Sequence, residues 1–279
     1  MSTMAITAAD VNKLRQITGA GMMDCKKALV EANGDFDGAI DYLRKQGQKV
    51  AAKRADRDAS EGLVIAKTTA DGKRGVVVCV NCETDFVAKN ADFTAMAERI
   101  AEIALEKGVG SIDALKGAAY DSKGLSIAEK LVEQTGVIGE KIDVSACLTV
   151  SAEFVCAYNH PGNKVASVVG LNKTGFETAA KDVAMQVAAM GPVALNKESV
   201  PQNVIDKEIE IGKELAIQEG KPVDMAEKIA VGRLNKFFQE STLLAQEFIK
   251  DNKLSVEQYL KSHDKDLTAT GFARHSLTV

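Results

Sequence analysis

Cys79-Val-Asn-Cys82 is the one pair of thiols at the spacing used by redox and metal motifs, so its chemistry comes first. A redox pair requires its first thiolate at a helix N-terminus, where the dipole lowers the pKa. Cys79 instead sits inside the apolar run Gly75–Val80, and a loop rather than a helix is expected after Cys82. Zinc requires about four ligands. There is no second C-x-x-C, and the three histidines, His160, His263 and His275, are scattered along the chain. Packed thiols are therefore expected, and a thiol oxidoreductase using Cys79 and Cys82 is kept as the alternative function. The stretch Gly19-Ala-Gly21-Met-Met-Asp-Cys-Lys26-Lys27 lacks the glycine spacing, the Ser/Thr and the preceding strand of a phosphate loop. It reads as an inter-helix turn. Met22 and Met23 are adjacent in it, and neighbouring helical positions cannot both face inward. At least one is expected at the surface, where methionine makes an adaptable contact. Carboxylates are spread too evenly to nominate an acid–base pair, and His160 lies in a Pro-Gly turn. No catalytic residue, metal or cofactor is expected, so the chain reads as a non-enzyme.

One stretch offers an aromatic in a polar connection instead of reactive chemistry. In Val80-Asn-Cys-Glu-Thr-Asp-Phe-Val-Ala-Lys-Asn90 an apolar strand ends, and Phe86 stands beside Asp85 in a polar connection before the next helix. Locally, Phe86 reads as a staple folding back onto Phe93 or Met96. The other reading is a side chain presented to a partner. Asp85 reads locally as a turn or cap residue.

The elements that hold this stretch are legible in part. The composition, 46% hydrophobic and 27% charged with net charge −4, is that of a globular chain without a global field favouring nucleic acid or anionic membrane. No apolar run approaches the ~20 residues of a membrane span. The N-terminus carries no secretory or organellar signal, so a cytoplasmic location with reduced thiols is expected. Three short helices are predicted over 7–47. Thr7 and Asp10 form a capping box, with Val11, Leu14 and Ile17 as the inward face. The second runs from Met22 to Ala32. The third is capped by Asp35 and stops at Gly47. Residues 46–62 read as a charged linker, with six basic residues and one acidic one from Arg44 to Arg57. An RNA-binding reading of that run is weaker than a solvated helix end.

A weak duplication follows. Strand signals at 62–69 and 75–80 flank Asp71-Gly72, and those at 153–158 and 164–171 flank His160-Pro-Gly-Asn163. Each hairpin precedes a helix. The first has Phe93, Met96, Ala97, Ile100, Ile103 and Ala104 inward, and the second has Ala180, Val183, Ala184, Val187 and Ala188. Only the first copy carries the Thr84–Asn90 insertion. The class is therefore α+β, with a two-part core of duplicated hairpin-plus-helix units. Residues 195–237 then predict two helices joined at Gly220-Lys-Pro222, an antiparallel coiled-coil arm with Leu215 and Met225 among its inward residues. Ser255 and Gln258 cap a late helix, and 270–274 reads as a strand.

Four stretches together resemble the bacterial elongation factor Ts family, the guanine-nucleotide exchange factors for elongation factor Tu. They are LRQITGAGMMDCKKAL at 14–29, VNCETDFVAKN at 80–90, VIGEKI at 137–142 and GKPVDMAEKIAVGRLNKF at 220–237. The resemblance implies a ubiquitin-associated-like (UBA-like) module at 1–54 that docks on the partner's GTPase domain. A core N-subdomain at 55–142 and a core C-subdomain at 143–279 follow, with a protruding arm at 195–237 that could pair two copies. It implies that Thr84, Asp85, Phe86 and Val87 form the exchange element, Phe86 being a wedge that dislocates the partner's Mg²⁺ and phosphate site. Contact roles follow for Arg15, Met22, Met23 and Lys26, and for Ile138, Gly139 and His160. No direct nucleic-acid or membrane partner is implied. Cys79 falls outside the family motif, whereas Cys82 belongs to it. Some relatives continue past the position of Gly271–Arg274 into a further helix that touches the partner, and that contact is expected to be missing here.

Overall fold

Thr7 opens the first helix, α1 (Ala8–Thr18), through a reciprocal cap. Its hydroxyl oxygen accepts from the Asp10 N–H at 3.2 Å while its own N–H donates to the Asp10 carboxylate at 3.0 Å. The Thr7 hydroxyl and N–H hold the Asp10 carboxyl below the usual range. Helices α2 (Met22–Glu31) and α3 (Phe36–Lys53) follow, the latter capped by Asp35. Val11, Leu14, Ala20, Cys25, Ala28, Leu29 and Ala39 form their shared core. The computed structural model describes residues 6–122 and 124–277; the first five residues of the N-terminal stretch searched for a targeting signal lie outside them.

Two expectations for this region are overturned. Ile17 is 56% exposed instead of facing inward. Helix α3 does not stop at Gly47 but runs on to Lys53, so the first part of the expected linker is helix. The reason is a contact with a helix that local pattern did not reveal.

The remaining elements, in chain order, are β1 (Glu61–Thr68), β2 (Arg74–Cys82), α4 (Asp85–Ala88), α5 (Ala91–Lys107), α6 (Ile112–Gly117), α7 (Ile127–Ile138), β3 (Asp143–Ser151), β4 (Phe154–Asn159), β5 (Val165–Leu171) and α8 (Glu177–Met190). Then come α9 (Gln202–Gln218), α10 (Val223–Ser241), β6 (Glu247–Phe248), β7 (Asp251–Ser255), α11 (Val256–His263) and β8 (Ala269–Ser276). Gly47 of α3 is buried against Gly136 of α7, where a methyl group on Gly136 would overlap the Cα of Gly47. The backbones approach that closely because Gly136 lacks a side chain.

The fold is mixed α+β, with strands ordered β1-β2-β3, β4-β5-β8 and β6-β7. The chain forms two compact units, one drawing on residues up to Ile65 and Val78–Cys147, the other on Ala66–Val77 and Leu148 onward. In the first, α5 buries Phe93, Met96, Ala97, Ile100, Ile103 and Ala104, the six residues its periodicity selects. In the second, β4 and β5 pair antiparallel with Tyr158 opposite Ser167, and β8 pairs antiparallel on the other edge of β5. Helix α8 covers this sheet with Ala180, Val183, Ala184 and Val187. Burying these aliphatic groups is the main stabilising term, at roughly 25 cal/mol per Å² of apolar surface.

Helices α9 and α10 meet along Gly212, Ala216, Ala226 and Ala230, all buried. A Cβ on Gly212 would lie 3.1 Å from the Ala230 Cα, so the seam admits only small residues. Leu215 and Met225, expected inside, are consequently exposed. Larger side chains pack where Val204, Ile205, Leu234 and Phe237 surround Ala194, Val200 and Phe238. No described helix is long and apolar enough to cross a membrane.

Candidate functional site

Strand β2 ends at Cys82, and the chain then enters a single helical turn, α4, in place of the plain loop expected there. Thr84 is its N-cap, extended at φ −125° and ψ 154°, with the side-chain oxygen accepting from the Val87 N–H at 3.4 Å. Four residues make a helix too short to persist by itself. This one is held from outside. Glu140 Oε2 accepts from the backbone N–H groups of Glu83 (3.1 Å) and Thr84 (3.0 Å), and Oε1 accepts from the Thr84 hydroxyl at 2.7 Å. In return, the Lys141 N–H donates to Glu83 Oε1 at 2.6 Å.

A second layer ties this pairing to the end of α3. Arg54 Nη1 donates to both Glu83 oxygens, at 2.8 and 2.9 Å. The Lys141 ammonium donates to the carbonyls of Ala55 (2.7 Å) and Arg57 (3.0 Å). The Lys141 N–H first, and Arg54 second, hold the Glu83 carboxyl below the usual carboxylate range, against the opposing effect of burial. Part of the basic 44–57 run thus serves an internal ion-pair and carbonyl network.

On this braced turn Phe86 is 82% exposed. Phe93 and Met96, the residues it could have stapled, are buried in the α5 core. Asp85 forms an ion pair with Lys89 at 2.6 Å on the turn's outer side, and Ala88 points inward. The result is an aromatic ring offered to solvent by a hydrogen-bonded mount, to which the buried Cys82 thiol adds a bond by donating to the Thr84 carbonyl at 3.1 Å.

The other predicted residues fall in three places. Arg15 and Lys26 are exposed on α1 and α2, and Met22 and Met23 are 42% and 75% exposed, so both methionines reach the surface. Ile138 and Gly139 close α7, and Gly139 takes φ +80° as its C-cap. That left-handed residue turns the chain so that Glu140 meets Thr84. Val137, one residue before Ile138, packs on the three-helix core. The run Val137–Ile142 therefore links the helical core to the braced turn, all within the first unit. His160 lies in the second unit, at the exposed β4–β5 turn, with its Nδ1 3.0 Å from the Tyr158 hydroxyl. Sequence reading assigned no role to Glu83, Arg54, Glu140 or Lys141. Their partners lie up to 86 residues away, beyond the reach of local pattern.

Cys79 and Cys82 are both buried in β2. Three residues apart in a strand, they point to opposite faces with Cα atoms about 10 Å apart, too far for a disulfide. The thiol oxidoreductase reading is not favoured. No group of three or more His, Cys, Asp or Glu able to hold a metal stands together among the described residues.

The family described as Elongation factor TS matches residues 83–278. The chain belongs to the elongation factor Ts family. Elongation factor Ts of Christiangramia forsetii is 59% identical over 274 residues, covering 98% of both chains. That of Flavobacterium psychrophilum is 53% identical over 274 residues, and that of Cytophaga hutchinsonii 49% over 281 residues and the whole of both chains. The family match starts at Glu83, where the bracing begins, and the relatives extend the likeness through the three N-terminal helices. Membership assigns the chain to the elongation step of protein synthesis.

Proposed function

We propose that this chain binds elongation factor Tu in its GDP state and accelerates GDP release, with Thr84–Val87 as the exchange element and Phe86 as its wedge. The observation that carries this reading is the exposed Phe86 ring on a turn braced by Glu140, Lys141 and Arg54. Burying one phenylalanine is worth about 1.5–3 kcal/mol, enough to bias a packed domain between two arrangements. The wedge displaces the partner helices that position Mg²⁺ and the phosphate loop. Mg²⁺ requires near-ideal octahedral coordination, so a small displacement weakens the ion and the GDP diphosphate together. No chemical step is involved, and no cofactor is needed.

In the same reading α1–α3 form the UBA-like module of residues 1–54, docking on the partner's GTPase domain through Arg15, Met22, Met23 and Lys26. The core subdomains 55–142 and 143–279 supply Ile138, Gly139 and His160 as further contacts, reaching the GTPase domain and a second partner domain. Helices α9 and α10 act as the coiled-coil arm, available to pair two copies. A cytoplasmic location fits a factor of translation.

Stopped-flow release of fluorescent GDP from elongation factor Tu tests the wedge. Phe86→Ala is expected to slow stimulated release at least about tenfold, the equivalent of ~1.4 kcal/mol, while the protein stays folded. Undiminished stimulation by a folded variant refutes it.

A further inference from the structure

We infer that Glu140 is the positioning residue of the exchange element: its carboxylate fixes the Thr84–Val87 turn, and with it the Phe86 ring, before any partner arrives. This deepens the exchange reading and rests on it. The turn cannot hold itself. Helix α4 spans four residues, and its one internal side-chain cap, from the Val87 N–H to Thr84 Oγ1, is long at 3.4 Å. Glu140 supplies what is missing. Its two oxygens accept three hydrogen bonds from Glu83 and Thr84, fixing the backbone at the turn's entry. By accepting a hydrogen bond from the Thr84 hydroxyl at 2.7 Å, Glu140 also aims the Thr84 oxygen lone pairs toward the Val87 N–H. One carboxylate thereby sets both the backbone and the cap.

Glu140 is itself fixed on both sides. Gly139 adopts φ +80°, a conformation that costs glycine nothing, and the Lys141 N–H is committed to Glu83 Oε1. Residues 83–84 and 140–141 thus grip each other in both directions. An aromatic presented by such a mount binds without first being ordered, which is the general advantage of preorganisation.

The chain contains no tryptophan, so Phe86→Trp installs a sole indole on the turn of the full-length protein. Its time-resolved anisotropy reports nanosecond motion with no partner present. Adding Glu140→Ala is expected to raise the amplitude of the fast decay by roughly twofold or more. Glu140→Gln keeps an oxygen for the two backbone N–H groups and an amide N–H₂ for the Thr84 hydroxyl, and is expected to restore slow decay. In the Phe86 chain, Glu140→Ala should slow stimulated GDP release about fivefold at saturating factor, with Glu140→Gln within about twofold of the parent. If Glu140→Ala does not fold, Thr84→Val, which removes the hydroxyl alone, is read in its place with Thr84→Ser as the rescue.

An indole as immobile in Glu140→Ala as in the parent overturns the proposal, whatever the exchange rate. A mobilised indole with undiminished exchange also overturns the positioning role, provided Phe86→Ala slows exchange in the same assay. If Phe86→Ala leaves exchange intact, the wedge reading has failed, and the anisotropy alone decides whether Glu140 orders the turn.

Discussion

The Glu83 carboxyl makes the bracing of the turn sensitive to acid. Its folded pKa lies below the ordinary 4.5, chiefly through the Lys141 N–H and then Arg54. A carboxyl depressed in the folded state contributes stability that is present above its unfolded value and is lost as pH falls through the folded one. Glu83→Gln should therefore destabilise by roughly 1–3 kcal/mol at pH 7, the range for hydrogen bonds to a charged group. Denaturant midpoints of parent and variant should converge below about pH 4. A gap that persists undiminished to pH 3 would assign the effect to packing. At this scale the sequence distinguished Phe86 as an aromatic in a polar connection but left open where its ring goes. The spacing by itself read as a staple onto Phe93 or Met96. In the fold the ring is exposed, and Phe93 and Met96 are buried without it.

Among the elements, strong periodicity was readable and close approach was not. All six apolar residues selected for α5 are buried, and both hairpins form at their predicted turns. Helices α6 and α7 and strand β3 were not foreseen. Helix α3 outruns its apparent stop at Gly47 because that glycine is a contact surface for α7, not a terminator. The contact is asymmetric. A methyl on Gly136 would overlap the Gly47 backbone, whereas one on Gly47 meets Gly136 Cα at 3.6 Å, an ordinary contact. Gly136→Ala is therefore expected to cost about 1–3 kcal/mol by overpacking. Gly47→Ala should be neutral, or stabilising by up to ~1 kcal/mol through helix propensity. Thermal or chemical unfolding of the two variants checks this, and equal effects would contradict the geometry. The α9–α10 pair teaches the same lesson in part: Ala216, Ala226 and Ala230 lie in the seam as pattern assigns them, but Gly212 joins them and Leu215 and Met225 are left out.

For the whole molecule, exchange is a coupling between two ligands of one partner, and linkage makes it reciprocal. If the chain acts on elongation factor Tu as proposed, the factor by which it weakens GDP there must equal the factor by which GDP weakens its own binding. Titration calorimetry with nucleotide-free and GDP-loaded partner should return the same ratio as GDP affinities measured with and without the chain. An affinity for the partner indifferent to GDP would exclude the exchange role, because a ligand with no differential affinity shifts nothing.

By itself the sequence determined the α+β class, the repeated hairpin-plus-helix pattern, most helix positions and, through long contiguous motifs, the family. These follow from local periodicity, capping chemistry and turn residues, which act over a few positions. Only the tertiary structure decided that Gly47 belongs to a helix crossing, that Gly212 completes the α9–α10 seam while Leu215 and Met225 stay outside it, and that Glu140 and Lys141 grip residues 83–84 from 56 positions away or more. The physical reason is range. A hydrogen bond or a backbone contact is specified by where the folded chain brings two groups, and nothing in either neighbourhood records the other.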